Sequence, residues 1–458
     1  MKKIMIYTFL AAIMIATGCK KVLEQIPGDA QPGEDVLKTG ANVNAILAAS
    51  YERFANNDFL GGNVTKTAEL YGDQINFINV TGGSEVQFTQ RAFSTFNGIG
   101  RSLWFTGYEA IGRANVVVKA IDENLFSDTK DSTKNVWKGE ALFIRGAAHF
   151  ELTRLFAKPF TNNPTADPGV VVRQKALSAT EAQVAAQRNT VKESYDAAIA
   201  DLKLAETLLP TANGGGRATR WAAKAYLARI YFNMADYPNA FTYANDVIVN
   251  SGYVLGNDVT LPFKSVGNTM VPPTGVVSLL FGSAGTQRGT FWNTDINNTY
   301  LPVSAALAST ISTRGGTRAS ILSAITTNSP ARTVSLKWSL LGASTEINVP
   351  LIRLSEMYLT RAESSVNRGG FTDAAVRADY NAVRAVAGVA ADAITTGAAA
   401  LLTAIRTERA VEFFTEGDGY HELRRQKLNV RGIPFNDASG LLKIPDGEVR
   451  ANLGMIQN

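Results

Sequence analysis

A single cysteine, Cys19, stands in 458 residues, so the chain can form no internal disulfide in any compartment. Histidine is almost as scarce, with only His149 and His421. Zinc centres draw on Cys and His, so a soft-ligand metal site has almost no material here, and Ser-His or Cys-His catalysis has little. Charge of one sign is lacking as well: 45 basic against 40 acidic side chains leave +5. Residues 1–18 hold Lys2, Lys3 and no acid, and removing them lowers +5 by two, to +3. No concentrated basic stripe is present, which argues against a nucleic-acid partner. The triple glycine Gly214–Gly216 has neither the preceding strand nor the Lys-Ser/Thr pair of a phosphate loop and reads as a flexible interhelical turn. No cofactor and no metal is expected. What is present is ordinary globular composition, 45% apolar and 19% charged, long enough for two or three domains or one large helical unit.

The first residues read Met1-Lys2-Lys3, an apolar run from Ile4 to about Ala16, then Thr17-Gly18-Cys19. A basic start followed by a short apolar run has the form of a secretory signal, and the run is shorter than the ~20 residues needed to span a bilayer. The small residues before the sole cysteine resemble a bacterial lipobox, with Ala16 where Leu is commonest. Lipid on Cys19 and removal of residues 1–18 are therefore expected, and acyl chains would anchor the mature protein at ~0.8 kcal/mol per buried CH₂. Residues 19–38, rich in polar residues, Pro and Gly, read as a flexible tether.

Periodicity makes most of the remainder helical. Apolar residues at 3.6-residue spacing predict helices over Ala41–Asn56, Arg101–Phe126 and Val136–Phe156, with others near 191–209, 219–234, 239–249, 351–368, 373–386 and 398–414. Residues 57–98 read as an extended loop region. Residues 251–348 carry short β-type runs, Val276–Phe281 and Thr333–Leu340, between Gly, Asn, Pro and Thr. Leu227-Ala228-x-x-Tyr231, Tyr237-x-x-Ala240 and Ala244 follow the tetratricopeptide pattern, with a looser echo at Tyr358, Ala362, Phe371 and Ala374. The expected fold is mainly α: a tetratricopeptide-like helical-pair scaffold with long irregular loops and a few short β-strands. An N-terminal helical region over 39–250 and a C-terminal region over 251–458, holding the loop and strand insertion, are expected.

Six segments in order carry a resemblance: VLEQIP at 22–27, WKGEALFIRGAAHFELTRLFAKPF at 137–160, AAKAYLARIYFNMADYPNAFTYANDVI from 222, NVPLIRLSEMYLTRAES from 348, TAIRTERAVEFFTEGDGYHELRRQK from 403, and IPDGEVRANLGMIQN at the end. They resemble the SusD/RagB family of Bacteroidetes surface lipoproteins, from Cys19 to Asn458. Two departures are visible: no Arg follows Glu416-Gly417 where the family has one, and Glu422 stands where an Asp is usual. The resemblance implies a SusD-like fold and a non-catalytic, outer-membrane protein facing the cell exterior. It implies a partner SusC-like TonB-dependent transporter and a glycan or oligosaccharide ligand. A lipid-anchored helical-repeat scaffold for peptides or protein partners is the alternative.

Sugar binding needs flat aromatic faces beside planar amides and carboxylates. Trp292, Asn293, Asp295 and Tyr300 form one such loop-like group; Phe77 with Asn76 forms a second in the early loop region. Trp104, Trp137 and Trp221 fall on helical faces and Trp338 in a strand-like run, so all four are expected to pack. Glu408 and Glu412 stand one helical turn apart, the arrangement of a general acid–base pair. With Arg406, Arg409, Arg424 and Arg425 close in sequence to neutralise them, a structural role is expected. His149 and His421 are expected to be packed side chains rather than ligands.

Overall fold

The structure is a computed structural model that describes residues 35–77, 82–182, 184–214, 216–263, 276–279, 302–326, 331–337 and 349–458. Cys19 and the segment with Trp292 and Tyr300 lie outside the described residues, as does Trp338. Twelve main helices are α1 (Gly40–Phe54), α2 (Asn63–Tyr71), α3 (Gly98–Asp122), α4 (Asp131–Phe156), α5 (Val191–Leu208), α6 (Arg220–Asn233), α7 (Tyr237–Asn250), α8 (Ala305–Arg314), α9 (Leu354–Arg368), α10 (Asp373–Val386), α11 (Ala398–Glu412) and α12 (Asp418–Arg425). Among the described residues four short strands make two antiparallel pairs: β1 (Val276–Leu279) with β4 (Pro350–Arg353), and β2 (Leu322–Ile325) with β3 (Arg332–Ser335).

Local chemistry sets the helix starts. Thr39, Thr190, Thr219, Asp236 and Thr372 each accept a backbone N–H as N-cap, and Thr190 with Glu193 closes a full capping box. The helices then stack in near-sequential order, α1 on α3, α3 on α4, α4 on α5, α5 on α6, α6 on α7, α7 on α9 and α9 on α10. That is the nearest-neighbour packing of a solenoid. In the α6–α7 pair the small residues Ala228, Ala240 and Ala244 are fully buried, and Tyr231 stacks on Tyr243 at 5.6 Å and 12°. The later echo is looser: Ala362 is buried in α9, whereas Ala374 is exposed and α10 packs through Val376, Tyr380 and Val383.

Two expectations about the elements need correction. The early loop region contains α2, which buries Val64, Ala68, Leu70 and Tyr71. Its 9 residues are too few for periodicity to stand out. The expected helix start at Leu351 is strand, since Arg353 is still extended (φ −119°) and α9 begins at Leu354. Trp104 and Trp221 are buried as expected, and Trp137, half-buried, packs against the main core.

The corner between α11 and α12 is held by buried ion pairs. Glu412 accepts from Arg318 at 2.7 Å and from Arg353 at 2.6 Å, and Glu408 lies 2.9 Å from Arg318. Arg353 also makes two hydrogen bonds to Glu416, at 2.9 and 2.8 Å, while Lys337 donates to the carbonyls of Glu412 and Phe414 and to Glu416. The partners of Glu408 and Glu412 are thus distant in sequence. The nearby arginines are engaged elsewhere: Arg406 on Glu363, Arg409 on Asp418, Arg425 on Glu422 and Glu363, and Arg424 on backbone carbonyls. Residues 408 and 412 share one helix face and 406 and 409 point away from it, so proximity in sequence misassigns the pairs.

Close approach in the stack depends on two glycines of α4. A Cβ on Gly146 would lie 2.9 Å from the Ala198 carbonyl, and one on Gly139 would lie 3.0 Å from Leu208 and Leu209. Gly112 of α3, by contrast, is exposed, with nothing within 4 Å. Thermal unfolding should therefore separate two chemically identical changes. Gly112→Ala is expected to stabilise by about 0.5–1 kcal/mol through helix propensity, and Gly146→Ala to destabilise by about 1–3 kcal/mol through overpacking.

Burial alone would raise the Glu412 carboxyl, but Arg318, Arg353 and Lys337 outweigh it and hold the group well below the usual carboxylate range. Its contribution is therefore present above the ordinary carboxylate pKa and lost as pH falls toward the depressed one. Glu412→Gln should cost about 3–5 kcal/mol at neutral pH by leaving Arg318 and Arg353 short of a counter-charge. Chemical denaturation across the acid range should show a flatter stability profile for the variant; an unchanged profile would exclude this role.

Candidate functional site

The segment that carries Asn76 and Phe77 pairs with the backbone of residues 302–304. Residues 73–77, leaving α2, run antiparallel to 302–304, the first described residues after the Trp292–Tyr300 segment. Ile75 and Val303 form the bridge; the Asn76 N–H donates to the Pro302 carbonyl at 2.7 Å and the Ser304 N–H to the Gln74 carbonyl at 2.8 Å. On its other side the Val303 N–H donates to the Thr333 carbonyl of β3 at 2.9 Å. Ser304 then caps α8 by accepting from the Leu307 N–H. Pro302 and Val303 are buried, so their backbone groups must find partners within the protein, and this three-way clasp supplies them.

Within the clasp Asn76 is exposed and Phe77 half-buried. Phe77 packs on the main core, and the Arg431 guanidinium lies 4.7 Å from its ring centroid while donating to the Ile75 carbonyl. Burial, reinforced by Arg91 nearby, lowers Arg431 to about 10, against the opposing pull of Asp73 and Glu69. Phe77 therefore has one part of its surface covered by a cation. Trp292, Asn293, Asp295 and Tyr300 lie outside the described residues.

Beside the clasp opens a groove of about 550 Å³, walled by Asp73, Gln74 and α8 and floored by α11 and α12. Hydroxyls of Ser304, Thr310, Thr403 and Thr407 line it with Arg406, Gln426 and the carboxylates of Asp418 and Glu422. Leu307, Leu423 and Leu428 supply its apolar surface. No aromatic side chain lines it among the described residues. Gln74 lies against Gly419, where a Cβ would meet its amide at 2.5 Å, so a larger residue there would have to push the Gln74 side chain aside.

The two carboxylates of the floor are shifted in opposite directions. Burial, against the pull of Arg409, pushes Asp418 up to about 6. Burial would also raise Glu422, but Arg425 and Arg409 prevail and hold it near 2. Each is gripped by a guanidinium fork, Asp418 by Arg409 at 2.8 and 2.7 Å and Glu422 by Arg425 at 3.1 and 2.6 Å. A carboxylate so held presents a fixed dipole rather than a mobile proton. Glu408 and Glu412 do not line the groove; they are buried under Arg318 and Arg353.

Both histidines are buried and packed. His149 Nδ1 lies 2.9 Å from the Arg145 carbonyl and Nε2 accepts the Arg173 N–H at 3.1 Å; burial and then Arg145 lower it to about 3. Burial and then Arg154 lower His421 as well. Among the described residues no three His, Cys, Asp or Glu side chains converge to hold a metal, and no helix is long and apolar enough to cross a membrane. Of the groove's elements, α8 (AALASTISTR) and α12 (DGYHELRR) escaped the periodicity reading, one for want of large apolar residues, the other because its buried face is charged. The Ser304 cap was the one local signal for α8.

A family profile described as starch-binding and associating with the outer membrane matches residues 23–232, and the SusD family profile matches 339–439. A SusD-like protein P2 of Formosa agariphila is 28% identical over 253 residues, 55% of this chain and 47% of that protein. A SusD-like protein of Bacteroides ovatus is 26% identical over 178 residues, covering 36% and 30%. The matches thus span about half or less of the length of these curated relatives. Among solved structures, a SusD superfamily protein of Bacteroides thetaiotaomicron has a TM-score of 0.79 at 21% identity, covering 91% of this chain and 99% of that one. A SusD-like carbohydrate binding protein of Bacteroides vulgatus has 0.77 at 16%, covering 91% and 97%. At such identities the structural likeness shows the fold, here the same helical stack. With both profiles falling in order on the stack and on its ion-paired corner, the chain belongs to the SusD/RagB family.

Proposed function

We propose that this protein is a lipid-anchored outer-membrane protein, facing the cell exterior, that binds oligosaccharide and passes it to a partner TonB-dependent transporter. The observation that carries the reading is the clasp. It ties the early segment with Asn76 and Phe77 to the residues that directly follow Trp292–Tyr300, at the edge of a polar groove. Sugar rings would lie on the aromatic side chains, while the amides and hydroxyls take the ring hydroxyls. The family profile's starch-binding description and the carbohydrate-binding name of the Bacteroides vulgatus neighbour support the ligand class. The Lys2-Lys3 start and the small residues before Cys19 support the anchor. Weak binding suffices, because two proteins confined to one membrane meet at high effective concentration. The reading assigns the chain no reaction.

The absence of aromatics from the described groove lining favours a second reading, a scaffold that takes peptides or a protein partner along the helical face. One set of measurements separates the two. Affinity gels loaded with a panel of polysaccharides should retard the wild type, and Trp292→Ala should weaken the retarding interaction about tenfold, the loss of roughly one aromatic contact. Wild type should incorporate labelled palmitate and stay with the membrane fraction, and Cys19→Ala should do neither. No retardation by any polysaccharide, with a transporter still co-purifying, would favour the peptide reading.

A further inference from the structure

Pro210, Asn213, Gly214 and Arg217, beside the glycines read from sequence as a plain connector, border a second concavity far from the groove. It measures about 580 Å³, within the ~300–1,000 Å³ range of small-molecule sites, and is lined by Asn44 of α1, Ser132, Thr133, Val136, Trp137 and Glu140 of α4, and the α5–α6 linker. Its floor is a chain of planar polar groups. Arg217 donates to Glu140 and to Asn44 Oδ1, each at 3.1 Å, and Asn213 donates to Glu140 at 2.9 Å. Glu140 is 1% exposed, and Arg217 also covers the ring of Tyr51. The floor is thereby fixed in place before any ligand arrives.

What the floor leaves open is informative. Glu140 has both oxygens engaged and is charge-matched by Arg217, so the concavity offers no unpaired charge for an anionic ligand. Asn213 Oδ1 and Asn44 Nδ2 have no hydrogen-bond partner among the described residues, which leaves one acceptor and one donor on residues that line the concavity with Ser132 and Thr133. Trp137, expected from its helical face to pack, does so in part: half-buried, it stacks on Phe126 at 6.4 Å and 28°, and it also lines the concavity. An indole beside paired amide and hydroxyl groups, with charge cancelled, suits a neutral pyranose better than a uronate, a phosphate or a peptide.

We propose that this concavity is a second carbohydrate site, for neutral hexose or pentose units, separate from the groove. It extends the glycan reading to the opposite end of α4. Arg424 of α12 donates to the Arg154 and Ala157 carbonyls at the C-terminal end of α4, while Trp137 stands in its second turn. The 20 residues between Trp137 and Ala157 rise about 30 Å along that helix. A long polysaccharide can engage two sites so spaced, and each then raises the effective concentration of chain at the other.

The test uses the full chain and hexaoses of glucose, xylose, galactose and mannose, followed by titration calorimetry and tryptophan fluorescence. Ser132→Trp fills the mouth of the concavity from an exposed position, so it leaves the core alone; Trp137→Ala removes the aromatic surface. In a Trp292→Ala background at least one hexaose should still bind, and each of the two changes should weaken that residual binding about tenfold or more. Residual binding that Ser132→Trp leaves unchanged, or its complete absence once Trp292 is gone, overturns the second site and leaves the groove reading standing. A wild type that binds none of the hexaoses overturns both.

Discussion

The pairing of Glu412 with Arg318 and Arg353 is the contact on which the C-terminal half depends. Three stretches that share no local sequence meet there: the turn at 316–321, the end of β4 and the last turn of α11. A buried carboxylate between two guanidinium groups is no bargain in free energy compared with an apolar core of equal volume, because each ion must first be stripped of water. Its consequence is directional. Hydrophobic contacts tolerate sliding, whereas a set of charge-assisted hydrogen bonds is satisfied in one arrangement only. Adding Lys337 and Glu416 extends the same arrangement to the backbone that turns from α11 into α12.

That corner in turn places the groove. α12 is short and highly charged, and it is held by Arg409 to Asp418, by Arg425 to Glu363, and by the Gly417 N–H to Glu69 of α2 at 2.7 Å. The early segment after α2 then lies over Gly419 and clasps Val303, which brings α8 against α11. The polar floor is therefore rigid, with its carboxylates committed to arginine forks. The helical stack works differently. It is built from small residues, Gly139 and Gly146 facing α5 and Ala228, Ala240 and Ala244 between α6 and α7, and its precision comes from close backbone approach.

Much of this was legible in the chain itself. Helices with a broad apolar stripe, from Val43–Phe54 to Leu401–Val411, follow from spacing alone, and the alanine-rich α6–α7 pair announces its own packing. Local signals could not reveal α2, whose 9 residues lie within a Gly-, Asn- and Thr-rich stretch. They placed Trp137 in the packing, where it is, but could not show that a helical aromatic at core spacing also stands at the rim of a concavity. They also misassigned the arginine partners, because ion pairing is decided by which helix faces meet, not by nearness along the chain.

The sequence by itself determined the helical periods, the caps, the alanine spacing, the scarcity of cysteine and histidine, and the ordered segments of the SusD/RagB family. These are properties of single segments and need no partner to be read. The tertiary structure alone decided that Glu408 and Glu412 pair with Arg318 and Glu412 also with Arg353, that residues 75 and 303 lie side by side, and that Asn44, Trp137 and Arg217 line one concavity. Each is a contact between segments far apart in the chain. No periodicity encodes such a contact; it forms because burial leaves backbone and charged groups that can be satisfied only by one another.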